Sequence, residues 1–343
     1  MNSAYARRAA ALGVLFAVSG ATGALAQSPE AFFKGKTITV TIGFSPGGTY
    51  DLFGRMVARH IGRHIPGKPT VVASNMPGAG SFRAANWLYS VAPKDGTALG
   101  IVSQTLALEQ ALGNKAARFK ADQFSWIGRV TSNTEVHVMW HKSKGTNIEG
   151  AKTAEIPVAS TGPGSPSETY PKLLNALVGT KLKLVRGYPG STNGLLAMER
   201  GEVDGALTSW NTMKSTRQKM LDDKKMFLLV QYVLKRSPEL PNVPTALELV
   251  KSDEDKKLIT FAISSSEIGR AILAPPGLPA DRLAALRTAF DAAMKDPALL
   301  AEVKKANLDF EPATGAEMAK IVADTVNAPA AVVEKMKKIV AAN

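Results

Sequence analysis

Four short glycine-rich turns in this 343-residue sequence offer backbone N–H groups to a bound anion. They occupy residues 45–48, 77–81, 162–165 and 188–193, and each follows a run of β-formers and precedes a segment with helical spacing of apolar residues. Glycines let amides approach an anion closely, and a helix N-terminus attracts negative charge. One such turn is equally consistent with a tight turn that binds nothing, but four at equivalent positions favour a ligand-binding cleft.

Polar and aromatic side chains around these turns extend the predicted ligand site. None of them is assigned a catalytic or metal-binding role. The predicted ligand-binding residues are Phe44, Ser45, Pro46, Gly47, Gly48, Thr49, Tyr50, Asp51, Gly78, Ala79, Gly80, Ser103 and Gln104 in the first half of the chain, and Ser160, Thr161, Gly164, Ser165, Tyr188, Ser191 and Trp210 in the second.

Several of these residues have an alternative structural role. Asp51 would repel an anion, so it is expected to cap its own helix or to accept hydrogen bonds from loop amides, with a ligand's amino or hydroxyl group as the alternative. Ser165 is expected to cap a helix, and Thr161 and Ser160, at a strand end, are the better ligand candidates. Phe44 packs either against a ligand's carbon skeleton or in the core, and Trp210 either walls the cleft or packs beneath it.

Local patterns predict the elements that position the turns. Apolar spacing predicts a helix from about Tyr50 to His64, with Arg55 and Arg59 on its far, exposed face. The stretch Ser165-Pro166-Ser167-Glu168 has the form of a capping box with proline at the first helical position, and the nearby Pro171 predicts a bend or a short first segment.

Strands that alternate with helices predict an α/β fold with mostly parallel sheets flanked by helices. In such sheets ligands bind beyond the carboxyl ends of the strands, which is where the four turns lie. A length of 343 residues with 45% hydrophobic residues is sufficient for two domains or lobes.

Composition excludes several classes of protein. The chain has no cysteine, so it has no disulfide, thiol nucleophile or zinc–thiolate site. Its net charge of +13 is scattered through helices together with acids, without a basic stripe and interleaved aromatics. Nucleic acid is therefore not predicted as a partner, and the charge favours a solvated surface with some bias toward small anions.

Residues 1–26 have the pattern of a secretory signal peptide. Arg7 and Arg8 form a basic region, a short apolar stretch follows, and Ala24-Leu25-Ala26 is a cleavage site. The apolar stretch is too short for a membrane anchor. We therefore expect cleavage after Ala26 and an exported mature chain that begins at Gln27; the arginine pair leaves both general and twin-arginine export open.

The sequence predicts neither a metal site nor an enzyme. His60 and His64 share a helix face without a carboxylate between them, and His137 and His141 would lie roughly 13 Å apart along a strand. A phosphate-binding P-loop and a full G-x-G-x-x-G are both lacking in the sequence. No cofactor is predicted.

The order of several motifs resembles the substrate-binding receptors of tripartite tricarboxylate transporters, also called Bug receptors. The motifs are Pro46-Gly47-Gly48-Thr49-Tyr50-Asp51, Asn75-Met76-Pro77-Gly78-Ala79-Gly80, Asp95-Gly96-Thr97, Gly190-Ser191, Gly201-Glu202-Val203-Asp204 and Pro241-Asn242-Val243-Pro244-Thr245. Each motif is moderately specific, and the resemblance covers nearly the whole mature chain.

The resemblance implies a two-lobed periplasmic binding protein of type II, the Venus-flytrap architecture. It implies that residues 27–135 and 271–343 form a discontinuous lobe one and that residues 136–270 form lobe two. The first two loops of such receptors hold a ligand carboxylate through backbone amides and ordered water. This sequence departs from the family at Ser209 or Trp210, at residues 103–105 and at residues 186–194, so the ligand's identity stays open.

The function that follows from the resemblance is that of a monomeric periplasmic receptor. It would capture a small organic carboxylate between the lobes and deliver it to the membrane subunits of a tripartite transporter. A receptor of the same fold that reports its ligand to a signalling partner is the alternative, and an exported enzyme on this fold is a more remote one.

Overall fold

Two separate β-sheets, each flanked by helices, organise residues 27–341, which are the residues that the computed structural model describes. The predicted signal peptide lies outside the described residues. The first sheet contains β1 (Thr37–Ile42), β2 (Thr70–Asn75), β3 (Ala98–Ile101), β4 (Ser125–Arg129), β10 (Ala271–Ala274) and β11 (Ala313–Thr314); the second contains β5 (Glu135–Trp140), β6 (Ile156–Ser160), β7 (Leu182–Arg186), β8 (Gly205–Ser209) and β9 (Met226–Tyr232).

The helices connect and cover these strands. They are α1 (Pro29–Phe33), α2 (Thr49–Ile61), α3 (Phe82–Ser90), α4 (Leu106–Ala111), α5 (Ile148–Thr153), α6 (Pro166–Val178), α7 (Ser191–Glu199), α8 (Trp210–Thr216), α9 (Gln218–Asp222), α10 (Asp253–Ile263), α11 (Ala280–Ala293), α12 (Pro297–Lys305), α13 (Gly315–Val326) and α14 (Ala330–Ala341). Short 3-10 turns lie at Ala79–Ser81, Ala121–Gln123, Ala246–Leu249 and Ser264–Glu267. Within residues 27–341, no helix combines the length and apolar character that crossing a membrane requires.

Each sheet has a parallel part that carries the predicted ligand turns. The strand order is β11-β4-β10-β3-β1-β2 in the first sheet and β7-β6-β8-β5-β9 in the second. Strand β1 is parallel to β2 and β3, and β6 is parallel to β7 and β8, whereas β10 and β5 run antiparallel to their neighbours. This confirms the predicted α/β fold with two lobes, which we call the first and second lobe after their sheets.

The chain passes from the first sheet to the second between β4 and β5 and returns between β9 and β10. The exact lobe boundaries stay a prediction. One helix has contacts that its predicted assignment to lobe one does not explain: Val333 and Met336 of α14 are buried in the apolar cluster that contains Tyr170 and Leu229 of the second lobe. The C-terminal helix therefore packs beside the second sheet.

Helix α2 is held on the first sheet by an apolar face. Phe53, Met56, Val57 and Ile61 are buried in one cluster with Ile38, Val40 and Ile42 of β1. Burying a side chain of this size stabilises the fold by about 1.5–3 kcal/mol. Gly54 faces the sheet so closely that a Cβ there would lie 2.9 Å from Ile42, so the absence of a side chain lets the helix approach the sheet. The 45–48 turn is thereby anchored at the sheet edge.

Helix α6 begins where the sequence predicts, but the predicted capping box is wrong. Ser165 occupies the N-cap and Pro166 the first turn, yet the Ser165 side chain makes no capping hydrogen bond and instead donates to the Gly162 carbonyl. Glu168 is not available for the box because Arg186 and Ser160 donate to its carboxylate. Burial alone would raise the pKa of Glu168, but these bonds hold it below its usual value.

The short first segment predicted at Pro171 is wrong, because α6 runs without interruption over Pro166–Val178 with the proline inside it; the alternative, a bend, stays a prediction. Proline removes its own N–H from the helical ladder, and its ring crowds the carbonyl group four residues earlier. The buried residues of this helix include Tyr170, Leu173 and Leu174, which pack in the second-lobe core. Tertiary packing of this apolar face outweighs the local cost of the proline.

Candidate functional site

A small cavity of about 40 Å³ lies between the two lobes, at the carboxyl ends of the parallel strands. By this measure it has space for a few water-sized groups. The residues that line it are Phe44, Ser45, Gly48, Thr49, Tyr50, Glu135, Thr161, Pro166, Ser167, Gly190, Ser191, Leu207, Thr208, Ser209 and Arg270. The wall is therefore built from both sheets and from the segments that connect them.

Three helices direct their N-termini toward this cavity. Helix α2 contributes Thr49 at its first position, α6 contributes Pro166 and Ser167, and α7 contributes Ser191 together with its N-cap, Gly190. The first N–H groups of a helix have no partner within the helix, and the helix dipole places partial positive charge there. A cavity that collects three such ends from both lobes favours an anion.

Arg270 supplies a full positive charge to the cavity wall. Its guanidinium group donates from Nε and Nη2 to the Thr49 hydroxyl group at 3.1 and 2.9 Å, and from Nη1 to the Gln104 side-chain oxygen at 2.9 Å. It also lies over the ring of Tyr50, 4.0 Å from the ring centroid. These contacts fix the guanidinium plane, so the charge is held in place before a ligand arrives.

Glu135 lies beside Arg270 and gives the cavity a negative group. Its Oε1 is 3.7 Å from Arg270 Nη2 and accepts a hydrogen bond from Asn133 Nδ2 at 2.6 Å. Burial raises the pKa of Glu135 above its usual value, although the charge of Arg270 and the hydrogen bonds from Asn133 and Arg270 oppose the rise. The cavity wall thus contains two opposite charges in contact with each other.

Hydroxyl groups complete the wall on the second-lobe side. Thr208 lines the cavity with a buried hydroxyl oxygen that has no hydrogen-bond partner among residues 27–341. Ser209 caps α8 by accepting from the Thr212 amide, and its hydroxyl oxygen lies 2.9 Å from that of Thr49 across the cleft. An unpaired buried hydroxyl group is costly unless a ligand or water meets it.

The 45–48 turn is shaped by Asp51, in agreement with the structural role predicted for it. Asp51 Oδ2 accepts from the Gly47 amide at 3.1 Å, and Oδ1 accepts from Asn75 Nδ2 at 2.9 Å. Asn75 also donates to the Phe44 carbonyl at 2.9 Å, which ties the two ends of the turn together. The positive φ of 93° at Gly47 allows the chain to make this turn.

The sequence predicts that Arg55 lies on the far, exposed face of α2; its side chain is 40% exposed, but it contacts residues beside the 45–48 turn. Arg55 Nε donates to Asp51 Oδ1 at 2.8 Å, and Nη2 donates to Asn75 Oδ1 at 2.6 Å. It therefore supports the two residues that hold the 45–48 turn. Arg59 is different, because it pairs with Glu302 on α12, at the far side of α2.

The 77–81 loop contacts the opposite lobe rather than the cavity. The Gly80 amide donates to the Thr161 carbonyl oxygen at 3.0 Å, and the neighbouring Gly78 and Ala79 do not line the cavity. The 45–48 turn also crosses the cleft, since Ser45 donates to the Pro189 carbonyl from its amide at 3.2 Å. The loops of the two lobes therefore meet directly around a small enclosed space.

The predicted ligand residues divide into three groups in the structure. Those that line the cavity are Phe44, Ser45, Gly48, Thr49, Tyr50, Thr161 and Ser191; Ser160 and Tyr188 line a smaller adjoining space of about 10 Å³. Those that line neither are Pro46, Gly47, Asp51, Gly78, Ala79, Gly80, Ser103, Gln104, Gly164, Ser165 and Trp210.

Some residues outside the cavity support those that line it. The Gln104 side-chain oxygen accepts from Arg270, and the Gln104 backbone amide donates to the Tyr50 hydroxyl oxygen at 2.9 Å. Phe44 stacks on Tyr50 with the ring centroids 4.5 Å apart, so it belongs to the core and to the cavity wall together. Trp210 packs beneath the site, in an apolar cluster of the second lobe, and its indole donates to Glu239.

Sequence reasoning missed the two charged residues of the site. Glu135 opens the buried strand β5, and Arg270 directly precedes the buried strand β10. The sequence signal for each of them is a charged residue next to an apolar strand, where an unpaired charge is not expected. Their pairing depends on the chain's two passages between the sheets, which sequence spacing does not reveal.

His60 on α2 and His64, just beyond the end of α2, each contact an acidic residue at the N-cap of α12 or within it. His60 Nε2 lies 2.8 Å from Glu302 Oε2, and His64 Nε2 lies 2.9 Å from Asp296 Oδ2. Among the residues that the structure describes, no group of three or more histidine, aspartate or glutamate side chains is arranged to hold a metal ion. These pairs attach α2 to α12 and its N-cap.

The fold is that of a two-lobed binding protein with a cavity between its lobes. Comparison with known sequences identifies the family: residues 54–338 match the family described as tripartite tricarboxylate transporter family receptor, and the chain belongs to it. It is a solute-binding receptor and not an enzyme. The predicted resemblance is confirmed.

Two relatives are similar along most of their length. A UPF0065 protein from the tcbD–tcbE intergenic region of Pseudomonas sp. strain P51 is 26% identical over 296 residues, which cover 81% of this chain and 84% of the relative. A UPF0065 protein from the gbd 5′ region of Cupriavidus necator is 25% identical over 352 residues, which cover 93% and 95%.

Solved structures share the fold. The periplasmic binding protein BugD has a TM-score of 0.70 at 20% identity, with 89% of this chain and 97% of BugD covered. MatC (Rpa3494) from Rhodopseudomonas palustris with bound malate has a TM-score of 0.68 at 21% identity, covering 89% and 99%. R. palustris Rpa4515 with adipate has a TM-score of 0.68 at 19% identity, covering 89% and 97%.

Proposed function

We propose that this receptor captures a small organic carboxylate in the cavity between its lobes. The observation that carries the proposal is the convergence of three helix N-termini and the fixed Arg270 guanidinium group on one enclosed space. Hydrogen bonds to a charged group contribute about 1.5–3 kcal/mol each, so a few of them compensate a carboxylate for leaving water. The malate and adipate bound by the two R. palustris proteins support a carboxylate as the ligand class.

We further propose that the receptor acts outside the cytoplasm and delivers its ligand to the membrane subunits of a tripartite transporter. The family assignment and the signal-peptide pattern of residues 1–26 support this role. In this proposal the protein is a periplasmic monomer cleaved after Ala26. Residues 27–135 with 271–343 and residues 136–270 form its two lobes, with α14 packed against the second.

A thermal-shift screen of the mature chain, from Gln27 onward, tests the ligand class. Each small carboxylate is paired with its uncharged primary amide, for example succinate with succinamide. A ligand at one hundred times its Kd stabilises the folded state by about 2.7 kcal/mol, so the melting temperature should rise with a carboxylate and not with its amide. Equal shifts for both members of every pair, or no shift with any carboxylate, contradict the proposal.

A second experiment tests delivery. Uptake of the identified ligand is measured in cells that contain the membrane subunits, with and without the gene for this receptor. We expect uptake only when the receptor is exported. Ligand binding in vitro together with receptor-independent uptake would contradict the transport role and leave the binding role intact.

A further inference from the structure

Two opposite charges stand next to each other in the cavity wall. Arg270 Nη2 and Glu135 Oε1 are 3.7 Å apart, and their side chains are only 2% and 5% exposed. Both residues line the cavity. The two residues lie where the chain passes between the sheets. Glu135 begins β5, the first strand of the second sheet, and Arg270 directly precedes β10, the strand with which the chain returns to the first sheet.

Glu135 has fewer hydrogen-bond donors around it than a buried carboxylate requires. Oε1 accepts from Asn133 and faces Arg270, whereas Oε2 is not the acceptor of any side-chain hydrogen bond among residues 27–341. A carboxylate has about four lone-pair positions, and burying a charge without compensation is costly. The cavity is the direction from which a further donor can reach this group.

The other side of the cavity wall is positive, so the wall as a whole offers a positive side and an acidic side to a ligand. Arg270 and the N-termini of α2, α6 and α7 favour a carboxylate, and the unpaired Thr208 hydroxyl group offers an additional polar contact. A ligand that fills both sides must carry an anion and a cationic donor separated by about the distance between the two protein charges. An α-amino acid head group, with its carboxylate and ammonium on one carbon, has this arrangement.

We propose that Glu135 and Arg270 make this receptor selective for the zwitterionic head group of an α-amino acid. Glu135 accepts hydrogen bonds from the ammonium group, while Arg270 and the helix N-termini face the carboxylate. This inference rests on the proposed carboxylate-binding function and deepens it. The small volume of about 40 Å³ agrees with enclosure of a head group rather than of a large ring.

Other carboxylates fit the wall less well. A second carboxylate placed at Glu135 would meet a like charge, which is unfavourable in a buried site. A hydroxyl group can donate to Glu135 but brings no positive charge, so it lacks the Coulomb attraction that an ammonium group adds in a buried site. The order of affinity for a fixed carbon skeleton should therefore be ammonium, then hydroxyl, then hydrogen at C2.

Calorimetric titration of two matched series tests this order. The probes are alanine, lactate and propionate, and aspartate, malate and succinate, each series differing only at C2. We expect the amino member of at least one series to bind at least about tenfold more tightly than its unsubstituted counterpart, and Glu135→Gln to reduce that ratio to less than about threefold. Glu155→Gln, an exposed acid on the second lobe, is the matched control and should leave the ratio unchanged.

Each result has a defined meaning. A preference of the wild type for the unsubstituted or hydroxy member, or an equal loss for all three members in Glu135→Gln, overturns the inference while carboxylate binding stands. If Glu135→Gln does not fold, Glu135→Asp replaces it and should retain a preference for the amino member. If no probe and no other carboxylate binds the wild type, the proposed carboxylate-binding function fails and this inference fails with it.

Discussion

The amide nitrogen of Gly80 lies 3.0 Å from the carbonyl oxygen of Thr161, on the opposite side of the cleft. This bond joins the second glycine loop of the first lobe directly to the end of β6 in the second. Gly80 has a φ of 60°, and a Cβ at this position would lie 2.7 Å from the Pro163 carbonyl oxygen and 3.0 Å from the Ser165 amide nitrogen. The two lobes can therefore approach this closely only because residue 80 is a glycine and has no side chain.

Replacing Gly80 by alanine should hold the lobes apart. The added methyl group meets backbone atoms, which cannot move away as a flexible side chain can. We expect affinity for the identified ligand to fall at least about tenfold, equivalent to about 1.4 kcal/mol. Small-angle scattering should show a larger radius of gyration for the ligand-saturated variant than for the saturated wild type.

Gly179→Ala is the control for this experiment. Gly179 also has a left-handed backbone, with φ of 81°, but a Cβ there would meet nothing within 4 Å. Both variants share the cost of a positive φ, and only Gly80→Ala adds a contact between the lobes. Equal affinities for the two variants would refute the steric role of Gly80.

Variants of Arg55 and Arg59 show whether ligand affinity depends on the contacts that hold the 45–48 turn or on positive charge in general. Arg55 is 40% exposed and holds Asp51 and Asn75, whereas Arg59 pairs with Glu302. Because exposed ion pairs contribute about 0.2–1 kcal/mol, Arg55→Gln should weaken ligand binding by about two- to fivefold. Arg59→Gln should leave affinity unchanged when both are titrated by calorimetry under the same conditions. The reverse order would show that the turn does not depend on Asp51 being held.

The sequence predicted the parts of this fold that depend on local pattern. Alternation, helical spacing and glycine turns predicted strands β1, β6 and β8 and the starts of α2 and α7. The predicted bounds lie within a few residues of the observed ones. The family motifs also lie in these turns. Local pattern was therefore sufficient for the α/β fold and for the lining residues of the 45–48 turn.

The remaining part of the site depends on contacts between distant segments. Glu135 and Arg270 meet only because the chain crosses between the sheets twice, and no local period indicates this. The capping box at Ser165 has the correct local sequence, but Arg186 from β7 takes its acid. In both cases tertiary contacts decide which partner a charged side chain has.

His137 should make the stability of the protein sensitive to acid. It is fully buried on β5, its Nδ1 lies 3.1 Å from the Tyr232 hydroxyl oxygen, and burial lowers its pKa from 6.5 to about 4. The unfolded chain therefore binds a proton at a higher pH than the folded one. The stability due to the neutral ring is fully present above about pH 6.5 and declines as the pH falls toward 4, by up to about 1.4 kcal/mol per pH unit.

Urea unfolding at pH values between 4 and 8 measures this effect. The difference in free energy of unfolding between the wild type and His137→Gln should be constant above about pH 7 and should change in favour of the variant below about pH 6.5. His141→Gln, at an exposed position just beyond β5, is the control and should follow the wild type. A pH-independent difference for His137→Gln would refute the role of its burial.

The buried pair in the cleft should show strong energetic coupling in the absence of ligand. Arg270→Met leaves the Glu135 carboxylate buried without its cation, and breaking a buried pair in this way costs about 3–5 kcal/mol. Glu135→Gln similarly leaves the guanidinium group without its counter-charge. In the double variant neither charge is left unpaired, so its loss of stability should be smaller than the sum of the single losses by at least about 1 kcal/mol.

A second ion pair, between two residues of the second lobe, distinguishes the effect of burial from that of proximity. Arg217 Nε and Glu199 Oε1 are only 2.6 Å apart, but these side chains are 17% and 22% exposed. Double-mutant cycles by urea unfolding should give a larger coupling for Arg270 and Glu135, despite their greater separation, because water screens the Arg217 pair. A stronger coupling for the Arg217 pair, or no coupling for the cleft pair, would show that burial does not control the coupling energy of Arg270 and Glu135. Thr49 and Gln104 would then be the hydrogen-bond partners that hold Arg270 in position.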